Sequence, residues 1–360
     1  MQFSRIQLFF VLILFIGISN HVLILPHLLS SAKRDSWVCV IVAYFILLCW
    51  GYLIYRIMSR NSQRQKLYYW LQARSGKQIS KFILTLLMLY IVSVGVISFY
   101  DLIQTVQIYF LPLSPSWLVM LPFLLLCVWT AYSGMKSIVY ISTVLLPLVW
   151  LLGHFVAFST MDAKDYSYIF PVLINGYDPI IKGTITILGG SVDLLVLLLL
   201  QHHLNKSYSF LYILILISIL LGLVLGPTLG SIAAFGPSIA ADMRFPAFEL
   251  WRLITLGQHI SHVDFLAVFQ LLSGAIIRIS LCLFLVSDVV ETSSKKIKIL
   301  IFILFSIILA SVTIFPISDM WVQHFVGKYF YSSTVILALF ISLILFIISY
   351  LPLRKGIINT

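Results

Sequence analysis

Few side chains in this sequence could do chemistry, and most of them fall inside long apolar runs. Asp193 lies just behind Gly189, Gly190 and Ser191 in the run 183–200. Gly17, Ser19, Asn20 and His21 interrupt the first apolar run in the same way. Arg278 is the only arginine well inside such a run, and Ser273 and Gly274 stand close before it. Two adjacent glycines weaken a helix by roughly 1 kcal/mol each relative to alanine. An aspartate near a bilayer centre costs about 2.5–3.5 kcal/mol on insertion scales. A span that accepts both lines a cavity, because loosened backbone cannot face lipid. The chemistry on offer is recognition. Half-helix N-termini suit a carboxylate, and Asp193 suits an ammonium group or a proton. The alternative is an acid paired with a neighbouring donor, for which Arg278 is available. For the first span the alternative is an intact helix using small polar residues for close packing.

The third apolar run holds Tyr90, Ser93, Gly95, Ser98 and Asp101. Gly95 with Val96 would form an apolar wall beside a ligand, the others would pack, and Asp101 would sit near the outer mouth. His202 and His203 follow the sixth run at the inner face and read as interfacial. With no second ligand pair beside them, no metal site is expected. There is no Gly-x-Ser-x-Gly elbow, phosphate loop or His-Glu-x-x-His pair. Enzymatic and ATP-driven chemistry therefore have no support, and no cofactor is expected.

The elements that must position these groups are membrane helices. The chain has 360 residues, 61% of them hydrophobic and 10% charged, with a mean hydropathy of +1.08. Its apolar runs are continuous rather than alternating, which excludes a barrel and indicates an all-α polytopic membrane protein. About ten spans of bilayer length run near 6–30, 37–58, 81–108, 117–134, 138–159, 184–202, 208–232, 263–286, 298–316 and 333–352. The four cysteines lie in apolar runs and indicate no disulfide framework. Residues 6–29 are too long for a signal h-region and lack a small-residue cleavage site, so no cleaved signal peptide is expected.

The net charge of +11 sets topology rather than nucleic-acid binding. Arg5, the segment 56–81, Lys136, Lys206, Lys295, Lys296, Lys298, Arg354 and Lys355 fall on one side. That places both termini in the cytoplasm. The outer connections are then 160–183, 233–262 and 317–332. In the last turn-rich one before span eight, the segment Phe245 to Gly257 reads as an amphipathic helix at the interface or as a cap on the bundle. A single permease domain over 1–360 would divide near residue 165 into halves of five spans, 1–160 and 184–352. These would be inverted repeats meeting at broken spans one and six.

Several short stretches resemble the endospore germination permease family, the B-subunit permeases of bacterial spore germinant receptors. That family lies within the amino acid–polyamine–organocation transporter superfamily. The stretches are Arg5 to Leu8, Leu25-Pro26, Ala32 to Trp37, Gly95 to Phe99, Leu188-Gly189, Phe245-Pro246 and His262 to Asp264. The resemblance implies an amino acid permease-like inverted-repeat bundle with a pocket between spans one, three, six and eight. Ser19 to His21, Gly95, Val96 and Gly189 to Ser191 would face the ligand. It implies a nutrient germinant, commonly an amino acid, in the spore inner membrane. It also implies an A-type membrane subunit and a C-type lipoprotein as partners. The sequence departs from the family where Ser191 replaces a frequent acid, where Ser19-Asn20-His21 replaces a glycine-rich turn, and where His262 replaces a frequent arginine. The function expected is a germinant receptor subunit; the alternative is a proton-coupled secondary amino acid transporter working through Asp193 or Asp101.

Overall fold

The computed structural model is all-helical, and we describe residues 2–255, 263–290, 294–315 and 317–353, with the backbone alone for 18–20. His262, Gly257, Arg354 and Lys355 lie outside the described residues, as do the side chains of Ser19 and Asn20. The first span is α1 (Arg5–Ile18), a π-wound segment (Ser19–Leu23) and α2 (Leu25–Ala32). A 3-10 turn (Lys33–Asp35) leads into α3 (Ser36–Arg60). Next come α4 (Leu67–Ser75), α5 (Lys77–Tyr109), α6 (Ser116–Tyr132) and α7 (Met135–Ser159). The sixth span is α8 (Asp178–Gly190), a 3-10 segment (Ser191–Leu195), α9 (Val196–Leu200) and a second 3-10 turn (Gln201–His203). After it follow α10 (Phe210–Phe235), α11 (Pro237–Asp242), α12 (Pro246–Arg252) and α13 (Phe265–Val289). The described chain ends with α14 (Lys295–Ile314), α15 (Asp319–Phe325), a π segment (Val326–Phe330) and α16 (Tyr331–Ser349).

Among the described residues, 8 helical runs are long and apolar enough to cross a membrane. The first, Arg5–Arg60, is two antiparallel passes. Phe3 beside α1 bonds His203, and Gln201 donates to the carbonyls of Met58 and Asn61 at the end of α3, so both outer ends of the run return to the same place. The last run, Asp319–Ser349, begins well before the expected boundary at 333. The supposed connection 317–332 is mostly helix, made of α15 and the π segment that runs into α16.

Both interruptions fall where glycine and small polar residues predict them. They are changes of winding, not unwound stretches: span one widens to a π segment and span six tightens to 3-10. Such departures inside a helix mark hinges and functional sites. Their surroundings are protein, not lipid. The four consecutive leucines Leu197 to Leu200 are each at most 4% exposed, so that run is core. Exposed aliphatic side chains lie instead on α6, α7 and α16, where Leu125, Leu151 and Ile336 stand about two-thirds exposed.

Helix pairing is close where glycine permits it. A Cβ on Gly51 would sit 2.5 Å from Ile217 Cδ1, so α3 lies tight on α10. A Cβ on Gly183 would meet Cys39 Sγ at 2.6 Å, drawing α8 onto α3. At Gly189 it would meet the Tyr331 backbone oxygen at 2.5 Å, so α8 and α16 touch backbone to backbone. Small residues at such crossings are the usual means of helix association in lipid. The closest helix pairs include α1 with α7, α8 with α16, α6 with α13, α14 with α5, α3 with α10 and α5 with α13.

The helix after Phe245 is a cap rather than a surface float. Phe248, Leu250 and Trp251 are buried, Phe248 packs against the rings of Tyr109 and Phe110, and Tyr109 donates to Glu249 at 2.6 Å.

Replacing Gly189 with alanine should destabilise the protein by about 1–3 kcal/mol, since backbone cannot yield as a side chain can. Gly222→Ala, where a Cβ meets nothing within 4 Å, should be neutral or stabilising by up to about 1 kcal/mol. Thermal unfolding in detergent compares the two; indistinguishable midpoints would refute the backbone contact between α8 and α16.

Candidate functional site

Asp193 sits in the 3-10 segment of span six and is fully buried. Ser191 loosens the helix ahead of it by donating to Ile187 O at 2.8 Å, a back-bond that competes with regular helical geometry. Arg278 of α13, 2% exposed, places Nη1 2.6 Å from Asp193 Oδ2. Tyr90 of α5 donates to Asp193 Oδ1 at 2.7 Å. Arg278 also donates through Nε to Ser98 Oγ at 2.7 Å and through Nη1 to the Phe15 carbonyl at 2.5 Å. Its guanidinium lies 4.9 Å from the Phe15 ring centroid. A regular helix would spend the Phe15 carbonyl on an amide four residues later. That residue is Ser19, the first of the π segment, so the wider winding and the arginine contact coincide. One knot thus joins spans one, three, six and eight.

Other carbonyls near the interruptions are also met by side chains. His21 Nδ1 lies 2.5 Å from Gly17 O. Tyr331 donates to Leu23 O at 3.3 Å, and Thr334 to Gly189 O at 3.2 Å. The carbonyls of Phe15, Gly17, Leu23 and Gly189 are therefore engaged by the protein's own side chains.

Open space lies on the other side of span one. A cavity of about 390 Å³ is bounded by Gly17 and His21, by α7, by the glycine face of α10, and by Gln270 and Gly274 of α13. Its size falls in the range for small-molecule sites. Trp251 and other apolar groups form most of its wall, and Lys164 and Tyr166 stand at its outer rim. Lys164 Nζ donates to Ala157 O at 3.0 Å, and partial burial pulls its ammonium below the usual lysine range. No carboxylate lines this cavity among the described residues.

The two ends of the bundle are fastened. Opposite the termini, Arg244 bonds Asp101 of α5 and reaches Asp319 of α15 at 2.9 Å. Gln323 donates to both carboxylates at 3.3 Å. Burial acts to lower the Arg244 pKa, but the two carboxylates outweigh it and hold the guanidinium above its ordinary value. At the terminal end, Arg64 donates to Leu204 O at 2.7 Å, and Phe3 pairs with Leu204 as a parallel bridge.

The expected site residues thus separate. Gly17, His21 and Gly274 border the cavity. Asp193 and Arg278 form the knot, with Ser191 shaping its backbone and Gly190 buried at the end of α8. Gly189 faces Tyr331. Ser273 is buried and bonds within its own helix to Phe269 O. Gly95 packs against Phe305 and Cys282, and Val96 lies partly buried on the core. Ser19 and Asn20 contribute backbone to the π segment. Sequence reasoning passed over Gln270 and Lys164, and placed Trp251 on the amphipathic segment rather than at a site. The glycines at 222, 226 and 230, four apart on α10, were the signal for an open helix face.

Comparison with known proteins places these features in a family. The profile described as "Spore germination protein" matches residues 2–320. The chain is 35% identical over 349 residues to spore germination protein XB of Bacillus anthracis, covering 97% of this chain and 98% of that one. It is 23% identical over 239 residues to putative spore germination protein YfkT of Bacillus subtilis (strain 168), covering 66% and 65%.

Removing one partner of the knot leaves a buried charge alone. Arg278→Met should cost about 3–5 kcal/mol, and the double change Asp193→Leu with Arg278→Met should recover most of that loss. Thermal unfolding in nanodiscs is the measurement; additive losses would mean that the two side chains are not one unit.

Proposed function

Because this chain belongs to the spore germination protein family, we propose that it is the membrane-spanning, germinant-binding B-subunit of a nutrient receptor. The multi-pass bundle would hold a small molecule, an amino acid by preference, in the cavity beside the first span. One observation carries this reading: Gly17 borders the cavity, and two residues earlier the Phe15 carbonyl is held by Arg278. A ligand that presses on the π segment therefore acts on the knot that joins four spans. A ligand shifts such a bundle only through its differential affinity for two states.

The chemistry of the walls suits an amino acid with an apolar side chain. Lys164 at the rim would receive the carboxylate, while His21 and Gln270 offer polar contacts near the hinge and Trp251 faces the apolar body. Gly17, Ser19, Asn20, His21, Ser273 and Gly274 would form the ligand side. Gly189, Gly190, Ser191, Asp193 and Arg278 would form the responding side, with Gly95 and Val96 behind it supporting α5. Counting α6 as a crossing and the first run as two gives ten passes. The helix pairs α1 with α7 and α8 with α16 support a five-plus-five inverted repeat over 1–160 and 184–352. Lys and Arg cluster at the end that carries both termini, which supports a cytoplasmic placement of that end in the spore inner membrane. An A-type membrane subunit and a C-type lipoprotein would read the shift.

The rival, a self-sufficient proton-coupled transporter, draws on the same buried Asp193. Counterflow of labelled amino acid by the purified chain in liposomes would favour it; response only with co-expressed partners favours the receptor.

A Cβ on Gly153 meets nothing closer than Gln270 Nε2 at 3.7 Å, so Gly153→Leu should fold and fill the cavity. It should raise the nutrient concentration needed for half-maximal germination by about tenfold or more, at a loss of roughly 1.4 kcal/mol, with protein level unchanged. An unaltered concentration dependence would place the ligand elsewhere.

A further inference from the structure

The terminal end of the bundle carries a cluster that none of the preceding function uses. His202 and His203 close the sixth span as a 3-10 turn, and Asp288 lies near the end of α13. Adjacent histidines looked solitary in the sequence, but folding supplies the third group from another span.

We propose that His202, His203 and Asp288 bind a divalent transition-metal ion, with Zn²⁺ the best-matched occupant. Each residue offers one ligand atom, and all three atoms lie within 4.8 Å of one another. His202 Nε2 is 3.2 Å from Asp288 Oδ2. Two ligands about 2.0–2.2 Å from a tetrahedral zinc stand roughly 3.3 Å apart, so this edge needs no rearrangement. The imidazole rings of His202 and His203 are 3.9 Å apart, centroid to centroid, close enough to converge on one ion.

A second observation comes from the ring nitrogens. Nδ1 of His202 is buried with no hydrogen-bond partner among the described residues, while Nε2 is paired with Asp288. A buried imidazole left so is disfavoured by about 1–3 kcal/mol, and an ion or water is the usual resolution. Beside it lies a cavity of about 20 Å³ bordered by Lys66, His202 and Asp288, room for a single ion or water. Imidazole with carboxylate selects zinc, copper or nickel over magnesium and calcium, which prefer all-oxygen sites.

Lys66 sets the strength of the site. Its ammonium is 3.1 Å from Asp288 Oδ1, so it neutralises the carboxylate and repels an incoming ion. Bound metal would take Oδ2 against this opposition, and the site is tuned to weak, reversible occupancy. Its position gives occupancy a consequence. Metal would tie the tail of span six to the end of span eight, next to the Phe3 amide bond to His203 O at 2.7 Å, and so hold this end closed.

The test uses the full chain, tag removed, stripped with chelator and reconstituted in nanodiscs. Zn²⁺ is titrated against a chelating dye. We expect one ion per chain, not displaced by excess Mg²⁺ or Ca²⁺. His202→Gln, His203→Gln and Asp288→Asn should each weaken binding by about tenfold or more. His154→Gln, on an exposed histidine of α7, should change nothing. Lys66→Gln should tighten binding, a result that a plain ion-pair network does not produce. Co²⁺ in place of Zn²⁺ should give the intense visible bands of a four-coordinate site, a readout that needs only the intact chain. Absence of saturable binding, or binding indifferent to His202, His203 and Asp288, overturns the site. So does an octahedral cobalt spectrum.

Discussion

A charge pair buried at mid-membrane is the constraint around which this structure is arranged. Neither Asp193 nor Arg278 could face hydrocarbon, and each side chain reaches its partners only in one register of the spans. Arg278 spends its donors on Asp193, on Ser98 and on the Phe15 carbonyl. Those groups belong to spans six, three and one, and Arg278 itself belongs to span eight. Sliding any one of these helices by a turn, about 5.4 Å, would strand a charge. Hydrophobic packing alone imposes no such penalty in lipid, where leucine is content on either side of a helix.

The knot also explains why the interrupted spans stay helical. A loosened segment needs donors for its carbonyls, and here the protein supplies them through Arg278, His21, Tyr331 and Thr334. Winding can therefore relax to π in one span and tighten to 3-10 in the other without exposing peptide groups. A segment balanced between two windings is a natural hinge, because exchanging one donor for another is a smaller change than breaking a helix.

Clasps at both ends frame this centre. Arg244 bridges Asp101 and Asp319 at one end, while backbone bonds at Phe3 and the Gln201 side chain on the Met58 and Asn61 carbonyls hold the other. A cavity lies between α1, α7 and α10, where glycine leaves a helix face bare. The cavity lies beside the hinge, and both ends of the bundle are clasped. Opening either end means giving up ion pairs or bridged backbone.

Much was legible in the order of residues. Composition and unbroken apolar runs determine a helical membrane protein, since only helices and closed barrels satisfy backbone groups in lipid. Gly17, Gly189 and Gly190 mark where winding fails, and an aspartate and an arginine in apolar runs announce that they must find partners. What tertiary structure alone decided is which groups meet. Asp193 with Arg278, Asp288 with His202, and Asp101 with Arg244 come from distant spans, and helical periodicity says which face a residue shares but not which helix lies opposite. The same limit hid the cavity. Gly222, Gly226 and Gly230 show that one face of α10 is bare, yet whether a bare face receives a neighbouring helix or stays open depends on packing that no local pattern encodes.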